Sequence, residues 1–216
     1  FESRRRVLES GAYAPVVETL SRLAALYAPD DALLVDAGCG DGFYAKALAA
    51  QFRRVVAFDL ARDAVYLAAS GPKDERAQRV AFLVADLTRI PVQDGAASVL
   101  LDVFTPAHYA EFARVLKPGG VLIKALPGPG YLREIRALAG QRDYRNDDVL
   151  RRLDETGGER FRSLARETLH YSFPLPEPLR ADAVRMTPLT HAHAANPDAL
   201  TEITIEMEIA VLGKRE

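Results

Sequence analysis

With 216 residues, 49% of them hydrophobic and 27% charged, the chain can bury one sizeable core and is neither disordered nor fibrous. Its net charge of -2 offers no overall attraction to polyanions, and its lone cysteine, Cys39, excludes a disulfide framework and a four-cysteine zinc site within these residues. No apolar run approaches the roughly 18 residues that cross a bilayer and no export leader opens the chain, so a cytoplasmic protein without a membrane partner is expected.

The first element expected is a helix, because Val16, Val17, Leu20, Leu23, Ala24 and Tyr27 recur at helical spacing until Pro29-Asp30-Asp31 stops them. Residues 1–30 therefore form a helical lead. Five short apolar runs follow, Leu33–Asp36, Val55–Asp59, Val80–Val84, Ser98–Val103 and Gly120–Ala125, each reading as a strand buried on both faces. Helical patterns at Phe43–Phe52, Ala61–Ala69, Ala107–Leu116 and Tyr131–Ala139 alternate with them, which implies βαβ units and a doubly wound, mostly parallel sheet. The turn Lys117-Pro118-Gly119-Gly120 separates the third of these helices from the fifth strand. Residues 141–166 carry both signs of charge and Gly157-Gly158, and read as a mobile helix-and-loop insertion. Beyond it, Leu169, Tyr171 and Phe173, then Ile203, Ile205, Met207, Ile209 and Val211, alternate with other residues at a period of two. Two long strands thus complete a seven-stranded sheet with an antiparallel edge, in one domain spanning 1–216.

The chemistry concentrates at Leu34-Val35-Asp36-Ala37-Gly38-Cys39-Gly40-Asp41-Gly42, where a strand ends in an acid and the loop carries glycine at every second position. Such glycines permit positive φ and let the backbone approach a ligand. Asp59 closes the second strand, where a carboxylate can accept from both hydroxyls of a ribose, and Asp86 follows the third, where it can accept from an adenine amine. A tight turn explains a glycine pattern alone, but a strand, a loop and two further acids agree on a nucleotide site. The loop lacks Gly-x-Gly-x-x-Gly, and Asp41 would repel a diphosphate while suiting a cationic ligand free of phosphate. That favours S-adenosylmethionine over NAD, with Asp36, Gly38, Gly40, Asp41, Gly42, Asp59 and Asp86 around it.

These residues resemble the Rossmann-like class I methyltransferases. More narrowly, the chain is similar to the 23S ribosomal RNA guanine-N1 methyltransferases of the RlmA type. The similarity rests on the opening Arg5-Arg6-Val7-Leu8-Glu9-Ser10-Gly11-Ala12-Tyr13-Ala14-Pro15, on Phe104-Thr105-Pro106, on Arg114-Val115-Leu116-Lys117-Pro118-Gly119-Gly120, on Pro127-Gly128-Pro129 with Tyr131-Leu132, and on Met186-Thr187-Pro188. The resemblance implies cofactor contacts at Tyr13, Gly40, Asp41 and Tyr131, ribosomal RNA as partner, and a homodimer as the assembly to look for. Members of that family carry an amino-terminal zinc domain to which nothing here corresponds. The chain opens on Phe1 rather than methionine, which suggests natural sequence upstream.

Methyl transfer from a sulfonium is an in-line displacement, so alignment matters more than covalent help. Guanine N1 must also lose a proton, and Asp102 at the end of the fourth strand is the candidate acceptor, with a loop cap or an arginine partner as the bland reading. Phe104 and Pro106 would meet the base, or belong to the core, and the arginines that include Arg5 and Arg6 would line an RNA path or form a solvated face. His191 and His193 lack partners at ligand spacing, so no metal site is expected. A small-molecule methyltransferase and a non-catalytic cofactor-binding module stay open beside the RNA enzyme.

Overall fold

The computed structural model describes residues 1–28, 32–70, 77–140, 158–187, 190 and 196–215. The helical lead is bent. Helix α1 (Glu2–Val7) widens into a π-type turn over Leu8–Ala12, where Gly11 takes φ +93°, and helix α2 (Ala14–Tyr27) restarts with Pro15 in its first turn. Only glycine adopts that φ without a Cβ clash, and a proline in a first helical turn forfeits no hydrogen bond.

The core is a seven-stranded sheet in the order β3-β2-β1-β4-β5-β7-β6. Strands β1 (Leu33–Ala37), β2 (Arg54–Asp59), β3 (Val80–Val84), β4 (Ala97–Val103) and β5 (Leu116–Pro127) run parallel to their neighbours. Helices α3 (Phe43–Leu48), α4 (Arg62–Ala69) and α5 (Tyr109–Val115) make the crossovers between β1 and β2, β2 and β3, and β4 and β5. Helix α6 (Arg133–Leu138) leaves β5, and two long antiparallel strands close the far edge, β6 (Phe161–Pro174) beside β7 (Glu202–Lys214). Residues alternate between faces along each strand: Val99, Leu101 and Val103 of β4 join one apolar layer with α1, α2, α3 and α6, while Leu100 joins the other with Phe112 and Val115 of α5.

Three boundaries differ from the sequence reading. Leu116 pairs with Ala97 before the Lys117–Gly120 turn and Val121 with Val99 after it, so the turn is a bulge inside β5 rather than its start. The charged stretch expected as a loop to residue 166 is already strand from Phe161, because β7 supplies a partner for every residue class on that exposed edge. Helix α7 (Glu177–Arg185) was not expected, since only Leu179, Ala183 and Val184 mark an apolar stripe on an otherwise polar segment. His191, His193 and residues 141–157 lie outside the described residues.

Candidate active site

The carboxyl ends of β1, β2 and β4, where α/β sheets open a crevice, carry the site. The glycine loop after β1 folds across β2: the amides of Gly38 and Cys39 both donate to the Phe58 carbonyl at 2.9 Å. Gly38, Gly40 and Gly42 take φ of +75°, +55° and +76°. A Cβ at Gly38 would lie 2.3 Å from Thr105 Oγ1, whereas nothing stands within 4 Å of one at Gly40. The loop is thus packed from behind and open in front, a cradle for a ligand at Gly40. Asp59 braces it, accepting from the Gly40 amide (2.9 Å) and the Ala61 amide (2.8 Å), which uses one lone pair of each oxygen and leaves the others for hydroxyls. Asp86 is exposed. One of its oxygens accepts from the Thr88 amide and hydroxyl, which hold its carboxyl below the usual range and steady it beside β3.

Two acids of the motif are enclosed. Asp36 is 2% exposed, and burial pushes its carboxyl up to about 7 against the pull of the Ala45 amide, with the negative charges of Asp102, Asp59 and Asp41 adding to the rise. It lies beneath the loop, not at its mouth. Asp41 is equally buried, and neither carboxylate oxygen has a hydrogen-bond partner: the amides of Asp41 and Phe43 approach without adequate alignment. Burial raises its carboxyl, while Arg4 and those amides pull it down. An orphaned buried carboxylate costs free energy, and a cationic ligand relieves that cost. The open face of Gly40 and the orphaned Asp41 fit the ammonium end of S-adenosylmethionine and would oppose a diphosphate.

Beside the loop lies a cavity of about 320 Å3, lined among others by Arg4, Leu8, Tyr13, Phe104, Tyr131 and Leu132. Tyr13 is buried and its hydroxyl bonds that of Tyr131 at 2.6 Å, while the Tyr131 ring tilts against Phe104 at 4.9 Å between centroids. Phe104 (φ +59°) and Leu132 (φ +51°) are the non-glycine residues with positive φ among the described residues, and both line this cavity. Strained backbone of that kind concentrates where a side chain must be aimed. Pro127, Arg136, Met186 and Thr187 complete the wall.

Asp102 does not reach the cavity. It is fully enclosed on the Leu100 face of β4, and Lys124 of the adjacent strand donates to its Oδ2 at 2.7 Å and to the Thr105 carbonyl at 2.9 Å. Burial lifts its carboxyl to about 6 against the pull of Lys124. The bland reading of that acid, a paired strand-end carboxylate, describes its surroundings, with lysine in place of arginine. Pro106 is exposed and outside the cavity wall. Arg5 pairs with Glu9 on the outer face of α1, and Arg6 makes two 2.6 Å bonds to Asp182 of α7. Arg4 alone of the three enters the cavity wall, because it sits one helical turn before Leu8 on the buried face. That four-residue spacing was the signal available in the sequence. Lys124 had none, since its place opposite Asp102 depends on strand register.

Residues 34–120 match the methyltransferase domain family. The 23S rRNA (guanine(748)-N1)-methyltransferase of Streptomyces fradiae is 31% identical over 95% of this chain and 72% of its own length. Bacillus subtilis YxjB, which carries a provisional 23S rRNA (guanine-N1)-methyltransferase name, is 29% identical over 98% of this chain and 78% of its own. The malonyl-[acyl-carrier protein] O-methyltransferase of Serratia marcescens is 32% identical over 47% of this chain and 41% of its own. Among solved structures, YcgJ of Bacillus subtilis superposes with a TM-score of 0.64 at 14% identity over 93% of this chain and 97% of its own. A geranyl diphosphate methyltransferase in complex with S-adenosylmethionine superposes with a TM-score of 0.54 at 14% identity over 91% and 85%.

Proposed function

We propose, from the premise that this chain belongs to the class I S-adenosylmethionine-dependent methyltransferases, that it methylates N1 of a guanine in 23S ribosomal RNA. The observation that carries the substrate is the similarity to the Streptomyces fradiae enzyme, which extends beyond the glycine loop over 95% of the chain and so includes the cavity-lining segments around Tyr13, Phe104, Tyr131 and Met186. The cavity is at the small end of ligand pockets, a volume suited to one base taken out of its stack. Its paired rings, Phe104 and Tyr131, offer an aromatic wall against which a base can stack.

S-adenosylmethionine supplies a sulfonium-bound methyl group, and the residues around it need to hold donor and acceptor in line. The glycine loop and Asp59 bind the adenosyl end, with Asp86 beside it. The Tyr13–Tyr131 hydroxyl pair and the Phe104 ring bound the side on which the base enters. We assign Asp102 a positioning role: with Lys124 it ties the Phe104-Thr105-Pro106 turn to β5, and it touches no part of the cavity.

A small-molecule substrate is the second reading, favoured by the net charge of -2, by the engagement of Arg5, Arg6, Arg22 and Arg114 with acids, and by the half-length similarity to a malonyl-[acyl-carrier protein] methyltransferase. Incubating the protein with radiolabelled S-adenosylmethionine and unmodified 23S rRNA, followed by nucleoside analysis, separates the two. Label in 1-methylguanosine is expected; a protein that binds the donor but labels no RNA would overturn the RNA assignment.

A further inference from the structure

Arg4 and Asp41 are two opposite charges that share one site and do not neutralise each other. The Arg4 guanidinium lines the cavity, and its side chain makes no hydrogen bond or salt bridge among the described residues. Burial opposes its charge, yet Tyr44, Tyr131, Asp41 and Tyr13 hold it above the ordinary arginine value. Asp41, on the glycine loop, keeps both oxygens buried and without a hydrogen-bond partner. They attract one another through the field without making an ion pair. The sequence offered an easier arrangement, since Arg5 and Arg6 next along the helix both found acids on its outer faces. An unpaired buried acid facing an unpaired guanidinium is costly in an empty pocket and is satisfied by a ligand carrying both signs at a short separation.

We infer that Arg4 and Asp41 form a receptor for a zwitterionic amino-acid group, in which Arg4 takes the α-carboxylate of the S-adenosylmethionine methionine moiety and Asp41 its α-ammonium. The inference rests on the methyltransferase premise and is independent of which nucleophile receives the methyl. Arg4 suits the carboxylate because its planar fork donates two parallel hydrogen bonds, and because the Tyr13–Tyr131 hydroxyl pair beside it closes the same corner with further donors. Asp41 suits the ammonium because acceptors are what it has left unfilled. Leu8, one turn after Arg4 on α1, contributes to the same wall, so the helical lead carries a binding residue into a site otherwise built on strand ends.

Calorimetry with three adenosyl compounds tests the assignment: S-adenosylmethionine, its decarboxylated analogue, and 5'-methylthioadenosine, which lacks the whole amino-acid end. The unaltered protein is expected to bind S-adenosylmethionine tighter than the decarboxylated compound by on the order of tenfold to a hundredfold, the range of a charge-assisted bidentate contact. In Arg4→Gln the two affinities should converge to within about threefold, while 5'-methylthioadenosine binds as it does to the unaltered protein. Arg4→Lys should restore part of the preference, as a point charge without the fork. A preference that survives Arg4→Gln undiminished overturns the inference, as does an unaltered protein that binds the two compounds equally. Should Arg4→Gln lose 5'-methylthioadenosine as well, Arg4→Lys and the unaltered protein's own ratio decide. If none of the three compounds binds the unaltered protein, the methyltransferase premise itself has failed, which is a distinct result. A substitution that leaves the ratio intact and weakens only RNA binding would place Arg4 on the substrate side and overturn the carboxylate role.

Discussion

Asp36 shows how a single buried acid writes a pH dependence into the fold. Its carboxyl sits near 7 in the folded chain against an ordinary 3.8, because burial disfavours the charge and Asp102, Asp59 and Asp41 add negative potential. A raised folded-state value means that the native state holds the proton more tightly than the unfolded chain does. The stabilisation is therefore whole below 3.8 and is lost as pH rises towards 7, by on the order of 3–4 kcal/mol if Asp36 acted alone. Asp102, lifted to about 6, adds a drift of the same sign. Urea unfolding from pH 5 to pH 8 should show stability falling in the parent and falling distinctly less in Asp36→Asn. Parallel curves for the two proteins would mean that Asp36 is already ionised at the lower end of the range.

At this scale the sequence was legible where chemistry forces a residue type. Glycines at alternate positions and acids at strand ends can be recognised without coordinates, because positive φ and ribose-facing carboxylates leave few alternatives. The roles within that set were not legible. Asp36 and Asp41 are five residues apart in one motif, yet one lies under the loop and the other is left without a partner, a difference set by which way the chain turns at Gly38 and Gly40. Three consecutive arginines likewise point three ways, since successive residues on a helix are about 100° apart.

Between elements, the β4–β5 pair carries the most consequential contact. Asp102 and Lys124 are register partners, nearly unexposed, and the lysine also holds the Thr105 carbonyl in the turn that forces Phe104 to φ +59°. Removing one partner strands the other charge in the interior, so Lys124→Met is expected to cost about 3–5 kcal/mol. Replacing both, as Asp102→Leu with Lys124→Met, should recover most of that stability, because an apolar pair of similar volume avoids both desolvation penalties. Turnover should not recover with it: the turn after β4 loses its tether, and a fall of about tenfold with unchanged S-adenosylmethionine binding is expected from misplacing Phe104. A decisive alternative outcome is available in the pH profile. If Asp102 took the proton, Asp102→Asn would remove the acidic limb of the rate profile, and the positioning role would be wrong. Register of this kind is invisible in a one-dimensional pattern, which explains why the strands were readable and their cross-links were not. Helix α7 was missed for a related reason, since its stability comes from docking α1 through Arg6 and Asp182 rather than from an apolar stripe of its own.

For the molecule as a whole, the helical lead is the element whose position bears most on the site. Helix α1 is short and would not persist alone; it is held by Asp182 of α7 through Arg6, and by Tyr171 of β6, whose hydroxyl donates to the Ala12 carbonyl just beyond it. Arg4, Leu8 and Tyr13 meanwhile place the same segment against the cavity. A ligand that engages Arg4 must therefore stabilise the lead as well as the glycine loop, because anything bound only to the closed arrangement shifts its population. Hydrogen exchange should register this as slower exchange of amides in residues 4–13 on adding S-adenosylmethionine, together with those at 38–42. Arg6→Ala, which cuts the tie to α7 without entering the cavity, should speed exchange across α1 and weaken S-adenosylmethionine several-fold while leaving 5'-methylthioadenosine unaffected. Protection confined to 38–42 would show that the lead closes over the site independently of the ligand, and the coupling between the two halves of the pocket would have to be abandoned.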